Sequence, residues 1–274
     1  MATPIGNLED LGARAARVLA EADLIAAEDT RHSGRLLTHL GLSRPLLSLH
    51  EHNEGARVPR LVERMLDGQV VALISDAGTP LVSDPGFRLV RAAREAGLPV
   101  LPVPGPSAVV AALSVAGLPS DRFCFEGFLP ASSGARRQRL AELLKMPATV
   151  VCFESSHRIA ACSADLAVLA PERSVFLARE MTKQFEEHFF GHAGTLPDWL
   201  AADPNRLRGE FVLLMAPCRE PSGDALEGGL GAEEERVLTT LLAELPLKQA
   251  VRLTSHLTGV ARNRVYARAL ALAG

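Results

Sequence analysis

Short apolar runs alternate with amphipathic stretches along the first part of the chain, and most runs empty into Gly, Pro and small polar residues. Leu11, Ala15, Val18, Leu19 and Ala22 recur at three- and four-residue steps, which predicts a helix over 11–22. Further helices are expected at 57–66, 87–96 and 107–116, stopped by Asp67-Gly68, Gly97 and Gly117. Apolar runs at 24–27, 70–74 and 100–103 read as strands. Strands separated by helices call for a mainly parallel sheet covered on both faces. The pattern restarts after Pro119, with strands at 123–128, 149–153, 175–178 and 210–216 and helices at 136–144, 159–169 and 196–201. The expected fold class is α/β, with one α/β domain over 1–118 and a second over 119–217.

Residues 218–231 are rich in Gly and Pro and read as a linker. The tail differs: 232–244, 247–257 and 261–272 read as three helices, broken at Pro246 and Gly259. Residues 245–274 carry Lys248, Arg252, Arg262, Arg264 and Arg268 and no acid, although the whole chain has a net charge of −3. A small basic helical module at 232–274 suits a polyanion such as RNA, and a solvated helix face suits the same pattern. Cys124, Cys152, Cys162 and Cys218 form no C-x-x-C pair, so reduced thiols in a cytoplasmic protein are expected rather than a disulfide frame or zinc site. No transmembrane span, secretory leader or membrane association is expected.

Polar residues concentrate where strands end, which is where ligands sit in open α/β sheets. The first such segment is Thr3-Pro4-Ile5-Gly6-Asn7-Leu8, a rigid turn that brings backbone close to a ligand or simply makes a loop. The second, Ala27-Glu28-Asp29-Thr30-Arg31-His32, gathers groups that orient a substrate or accept a proton; alternatively Asp29 or Thr30 caps the next helix. The third runs from Ser75 through Asp76, Gly78, Thr79, Pro80, Leu81, Val82, Ser83 and Asp84 to Gly86, and reads as a binding loop. The fourth, Pro104-Gly105-Pro106-Ser107-Ala108, opens a helix whose free amides suit an anion. Phe153-Glu154-Ser155-Ser156-His157-Arg158 and Arg179-Glu180-Met181-Thr182-Lys183 repeat the arrangement in the second domain. No G-x-G-x-x-G fingerprint or Walker lysine loop occurs, which argues against dinucleotide and ATP sites. His50-Glu51-His52 lacks a third ligand at metal spacing, and no metal is expected.

In order, T-P-I-G-N-L, A-E-D-T-R, S-D-A-G-T-P-L-V-S-D-P-G, P-G-P-S-A, F-x-F-E-G-F-L-P, F-E-S-S-H-R, A-R-E-M-T-K and R-G-E-F-V-L span nearly the whole chain. Together they resemble the RsmI-type small-subunit ribosomal RNA methyltransferases of the tetrapyrrole-methylase superfamily. The resemblance implies an S-adenosyl-L-methionine (AdoMet) enzyme that methylates the ribose 2′-hydroxyl of a cytidine in the decoding region of 16S ribosomal RNA. It also implies a tetrapyrrole-methylase-like fold with the cofactor between two α/β domains, a homodimer, and a small RNA-contacting helical tail. Carried over by motif, the cofactor site involves Ile5, Gly78, Thr79, Pro80, Leu81, Val82, Ser83, Ser107, Ala108, Phe153, Glu154, Ala178, Gly209 and Glu210. Members of the family begin with a short apolar strand before T-P-I-G-N; here only Met1-Ala2 precede it, so a stub in place of that strand, and a true start upstream, are expected.

A ribose hydroxyl needs a proton acceptor within hydrogen-bond reach. By position and chemical type, Glu28 or Asp29 with Arg31 is expected to line the acceptor side. His157, Arg158, Arg179 and Lys183 are expected to hold RNA phosphates, with Lys248, Arg252, Arg262 and Arg264 adding charge from the tail. The alternatives are a tetrapyrrole-precursor methylase on the same fold, disfavoured by the first loop and the basic tail, and a non-enzymatic RNA-binding assembly factor.

Overall fold

The computed structural model describes residues 1–218 and 230–273. The chain forms two compact units, Met1–Cys218 and Arg219–Gly274. Most of the expected linker, 219–229, lies outside the described residues.

The first unit holds two sheets. The smaller is built from β1 (Leu24–Ala27), β2 (Leu46–Ser48) and β3 (Val71–Ile74), in the order β2-β1-β3 and all parallel. Around it lie α1 (Ala13–Glu21), α2 (Thr30–His39), α3 (Glu54–Leu66) and α4 (Phe87–Glu95), while α5 (Ala108–Val115) packs on the second sheet. All four β1 residues are buried, as expected of a central strand covered on both faces. Ile25 and Ala27 pack into one apolar cluster and Leu24 and Ala26 into another, following the two-residue period of a strand.

The larger sheet takes β4 (Phe123–Phe128), β5 (Thr149–Ser155), β6 (Ser174–Arg179), β7 (Glu187–His192) and β8 (Glu210–Met215) in the order β4-β5-β8-β6-β7. Only the β4–β5 pair is parallel. The helices α6 (Ser133–Leu143), α7 (Ile159–Leu169) and α8 (Leu196–Ala201) belong to the same half. One face of this sheet buries Val150, Cys152, Leu177 and Leu213 beneath α6–α8. The other buries Val151, Phe176, Ala178 and Leu214 against Ile5 and α5. Burial pushes the Cys152 thiol strongly up and Cys162 up to about 12, so both remain protonated core residues.

One expectation changes, and two strands, β2 and β7, are additions to the sequence reading. Residues 100–103 form no ladder strand. Pro99, Pro102, Pro104 and Pro106 lack the N–H that pairing needs, and the segment is joined instead by Ala2 N–H donating to Val103 O at 3.2 Å. Strand β2 is too short to announce itself by periodicity. Strand β7 hides in a polar stretch, where Phe189 is buried while Phe190 is 63% exposed. Before the first loop, the Met1 amino group donates to Leu73 O at 2.8 Å, and Thr3 and Gly78 exchange backbone hydrogen bonds at 2.9 and 3.1 Å. Residues 1–3 are therefore tied to the end of β3 although they form no named strand.

The second unit consists of α9 (Ala232–Glu244), α10 (Leu247–Thr258) and α11 (Arg262–Ala273) around Leu230, Leu238, Val251, Val265 and Ala269. Gly259 takes a left-handed φ of 74° and ends α10.

One buried ion cluster fixes α6 on α7. Asp165 accepts from Arg136 Nε at 2.7 Å and from Arg137 Nε at 2.8 Å, and both Arg136 and Asp165 are buried. Burial alone pushes the Asp165 carboxyl up, but its hydrogen bonds and charge pairing with the two arginines outweigh this and hold it below the usual carboxylate range. Its folded pKa is therefore depressed. The stabilisation is present above the unfolded carboxylate pKa, about 3.9, and is lost as pH falls through the folded value. Asp165→Asn strands the buried Arg136 charge and should cost about 3–5 kcal/mol, read from the urea midpoint at neutral pH. An unchanged midpoint would show that the cluster is energetically idle.

Candidate active site

A cavity of about 440 Å³ opens within the first unit, lined from both halves. The N-terminal half contributes Ile5, the loop after β3 and the start of α5; the C-terminal half contributes the ends of β4 and β5, Met181 and the start of β8. Its size suits a small organic ligand.

Glycine sets the closeness of the walls. Gly78 has φ +79°, and a β-carbon there would sit 3.3 Å from Ile5 Cγ2. Gly209 has φ +99°, and a β-carbon there would lie 2.5 Å from Glu180 Cγ and 2.6 Å from its Cδ. At Gly6 a β-carbon would collide with the Lys183 side chain and lie 2.9 Å from Thr182 Oγ1. Ser107 is the N-cap of α5 without a side-chain capping bond, and the first turn carries no acid. The amides of that turn, beside Ser107 and Ala108 in the wall, suit a carboxylate.

Among the described residues, the non-glycine positions with positive φ are Leu81 (73°), Ser83 (64°), Glu180 (53°) and Thr182 (65°). They fall in two loops, one from each half, and both loops contribute cavity walls: Val82 and Ser83 from one, Met181 from the other. Each such residue costs about 1–3 kcal/mol and persists only where its surroundings over-determine it, which is the usual signature of a functional loop.

Of the expected cofactor residues, Ile5, Gly78, Thr79, Val82, Ser83, Ser107, Ala108, Phe153, Glu154, Gly209 and Glu210 are in the cavity wall. Pro80, Leu81 and Ala178 are not. Pro80 is buried in its loop, Leu81 turns toward Gly86, and Ala178 is a core residue of β6. The wall also contains Ala77, Asp84, Phe128, Ser155, Ser156, Met181, Phe211 and Val212, which are not among the expected cofactor residues. All eight lie in the recognised blocks. The apolar ones resemble core residues in sequence, so block membership was their only signal.

Glu28, Asp29 and Arg31 lie beside the cavity rather than in its wall. Asp29 Oδ1 accepts from Arg31 N–H at 2.8 Å and caps α2, so the capping reading holds for its side chain. The Asp29 N–H donates to Asp76 Oδ1 at 3.0 Å. Burial pushes the Glu28 carboxyl up, reinforced by the charges of Asp76, Asp84, Glu51 and Asp29. Burial likewise pushes Asp84 up; a Ser75 hydrogen bond works against this and the Asp76 charge with it.

Three expected phosphate contacts are otherwise engaged. Arg179 is buried and donates to Arg208 O at 2.7 Å and Phe185 O at 2.8 Å, so its guanidinium braces the β6–β8 ends. Arg158 pairs with buried Glu154 (Nε to Oε1 3.1 Å) and donates to Leu129 O. Lys183 Nζ lies 2.9 Å from Glu180 Oε1 and 2.8 Å from Glu210 Oε2. His157 is exposed, as are Lys248, Arg252 and Arg262, while Arg264 is partly buried. Arg268 pairs with Glu235. Among the described residues, no group of three or more His, Cys, Asp or Glu is placed to hold a metal ion, and no helix is long and apolar enough to cross a membrane.

The family model for tetrapyrrole (corrin/porphyrin) methylases matches residues 2–197, and that of the RsmI C-terminal HTH domain matches 228–273. A ribosomal RNA small subunit methyltransferase I from Pseudomonas aeruginosa is 52% identical over 271 residues, covering 98% of this chain and 95% of its own length. The protein of that name from Escherichia coli O157:H7 is 49% identical over 269 residues, covering 98% and 92%. Among solved structures, a uroporphyrin-III-C-methyltransferase from Thermus thermophilus superimposes with a TM-score of 0.56 at 25% identity, over 78% of this chain and 91% of that one. A Thermus thermophilus uroporphyrin-III C-methyl transferase complexed with S-adenyl homocysteine aligns with a TM-score of 0.52 at 19% identity over 77% and 93%, a likeness of fold. The chain belongs to the tetrapyrrole (corrin/porphyrin) methylase family and ends in a domain of the RsmI C-terminal type.

Proposed function

We propose that this protein is an AdoMet-dependent methyltransferase of the small-subunit ribosomal RNA, acting on the ribose 2′-hydroxyl of a cytidine in the 16S decoding region. The observation that carries the reading is the near-full-length identity of about half to relatives named for that RNA. The homodimer and the cytoplasmic location belong to the same reading.

The cavity fits the cofactor on its own terms. Gly78 and Gly209 leave a cradle that β-carbons would close, and the α5 amides with Ser107 offer donors for a carboxylate. Ile5, Val82, Phe153, Met181 and Val212 supply an apolar wall that keeps water away. When bound, AdoMet supplies a methyl group already activated on a sulfonium.

The chain must then position the acceptor and take one proton. Glu28 is the base in this reading: burial first, and then the neighbouring carboxylates Asp76 and Asp84, favour its protonated form, so a proton is well received there. Asp29 supports it by capping α2, and exposed Arg31 stands beside it to meet a phosphate. His157 at the head of α7 and the basic residues of the second unit add further RNA contacts. The first-loop sequence and the basic module favour RNA over a tetrapyrrole precursor.

The direct test transfers radiolabelled methyl groups from AdoMet to small subunits from a strain lacking the gene, followed by alkaline hydrolysis of the RNA. A 2′-O-methyl group blocks cleavage, so label is expected in a dinucleotide. Label in mononucleotides would place the methyl on a base. Label only in an added tetrapyrrole precursor would favour the other branch of the family. Glu28→Gln should lower kcat by about 10²–10⁴-fold with cofactor affinity unchanged. In the wild type, kcat/KM should rise with pH through a carboxylate pKa above the ordinary value, because the base acts deprotonated, and that limb should vanish in the variant. Activity within threefold of wild type would remove Glu28 as the base. Joint replacement of Lys248, Arg252 and Arg262 by Ala should weaken subunit binding and flatten its salt dependence, lowering the slope by about two to three. An unchanged slope would exclude these three as phosphate contacts.

A further inference from the structure

Lys183 occupies the junction of three segments that bound the cavity. Its ammonium bridges Glu180, just past β6, and Glu210, the first residue of β8. Glu180 Oε1 also accepts from the Glu210 N–H at 2.9 Å, so lysine, glutamate and backbone close a ring. Its aliphatic stem fills the space a β-carbon at residue 6 would need, which ties in the first loop next to Ile5. The turn it holds is strained at both Glu180 and Thr182, and Met181 between them lines the cavity. Glu186 helps by accepting from Thr182 N–H at 2.6 Å. Two carboxylates within 3 Å more than neutralise one ammonium, so the cluster has no surplus charge for a phosphate.

We infer that Lys183 is a positioning residue for the cofactor, acting through the Gly209-Glu210 turn and the first loop to keep the cavity in its binding shape, and not a contact to RNA. The inference rests on the reading that this cavity takes AdoMet. Burial on its own would lower the Lys183 pKa, but its two carboxylate partners outweigh this and raise it, so the ammonium stays charged in the ring.

The test compares the full-length protein with Lys183→Met, which keeps length and loses charge, Lys183→Arg, which keeps charge, and Glu210→Gln, at a largely exposed partner. Calorimetry with S-adenosylhomocysteine and filter binding to small subunits are the two readouts. Lys183→Met should weaken S-adenosylhomocysteine binding about five- to tenfold, the scale of a partly exposed charge-assisted pair. Subunit affinity should stay within about twofold. Lys183→Arg should recover most of the loss, and Glu210→Gln should show a smaller loss in the same direction. Weaker subunit binding with unchanged S-adenosylhomocysteine binding would overturn the inference and make Lys183 an RNA contact. No change in either would also overturn it. If Lys183→Met does not fold, Glu210→Gln decides on the same two readouts. A wild type that binds no S-adenosylhomocysteine would defeat the cofactor reading and this inference with it; wild-type binding that the variants leave intact would defeat the inference alone.

Discussion

The first loop passes so close to the turn after β6 that residue 6 has no room for a β-carbon. That single approach joins two sheets of different construction. On one side is a parallel sheet with helices on its faces; on the other is a mixed sheet whose centre is antiparallel. The cavity exists because the segments meet there without side chains large enough to fill the gap. Glycine at 6, 78 and 209 is the steric condition, and strain at Leu81, Ser83, Glu180 and Thr182 accompanies it. Interior packing elsewhere supplies the stability against which such strain is tolerated.

Charge is distributed in the same spirit. Arg179, Arg158 and Lys183 lie near the cavity, yet each is engaged by backbone carbonyls or carboxylates of the chain itself. Close pairing lets charged groups stand near a dry pocket without an unpaired buried charge. The acids around Glu28 are the opposite case. Burial, with the like charges of their neighbours added, pushes the Glu28 and Asp84 carboxyls toward the protonated form. Paired charges hold the walls, while burial beside like charges leaves a group ready to exchange a proton.

Elements with strong period or clear stops were legible in the sequence. Strands 24–27 and 123–128 and helices 159–169, 196–201 and 232–244 have the bounds read from the residues. The failures have physical causes. Residues 100–103 look like a strand by hydrophobicity, but prolines deny them the ladder. Strand β7 has only one buried phenylalanine to betray it. At the cavity, the blocks rich in Gly and Asp supply loops that line its wall. What the blocks could not give was direction: Leu81 and Pro80 lie in the loop but face away, whereas Phe128 and Met181 look like core residues and face in. Nor does an arginine's type reveal whether its charge is already engaged, which is why Arg179 reads as a phosphate contact until its carbonyl partners are seen.

Strand β8 is the last strand of the first unit in the chain and yet lies in the middle of its sheet, between β5 and β6. During synthesis, β4 to β7 therefore emerge with an unfilled slot at the centre. The β5 and β6 edges facing that slot remain without their backbone partner until residue 215 has cleared the ribosome. Pairings across such sequence separation form slowly, and unpaired edges are open to foreign strands meanwhile. The same strand brings Gly209, Glu210, Phe211 and Val212 to the cavity wall. A nascent chain thus has no complete pocket to offer until its sheet is closed, so the arrival of one strand completes core and cavity together.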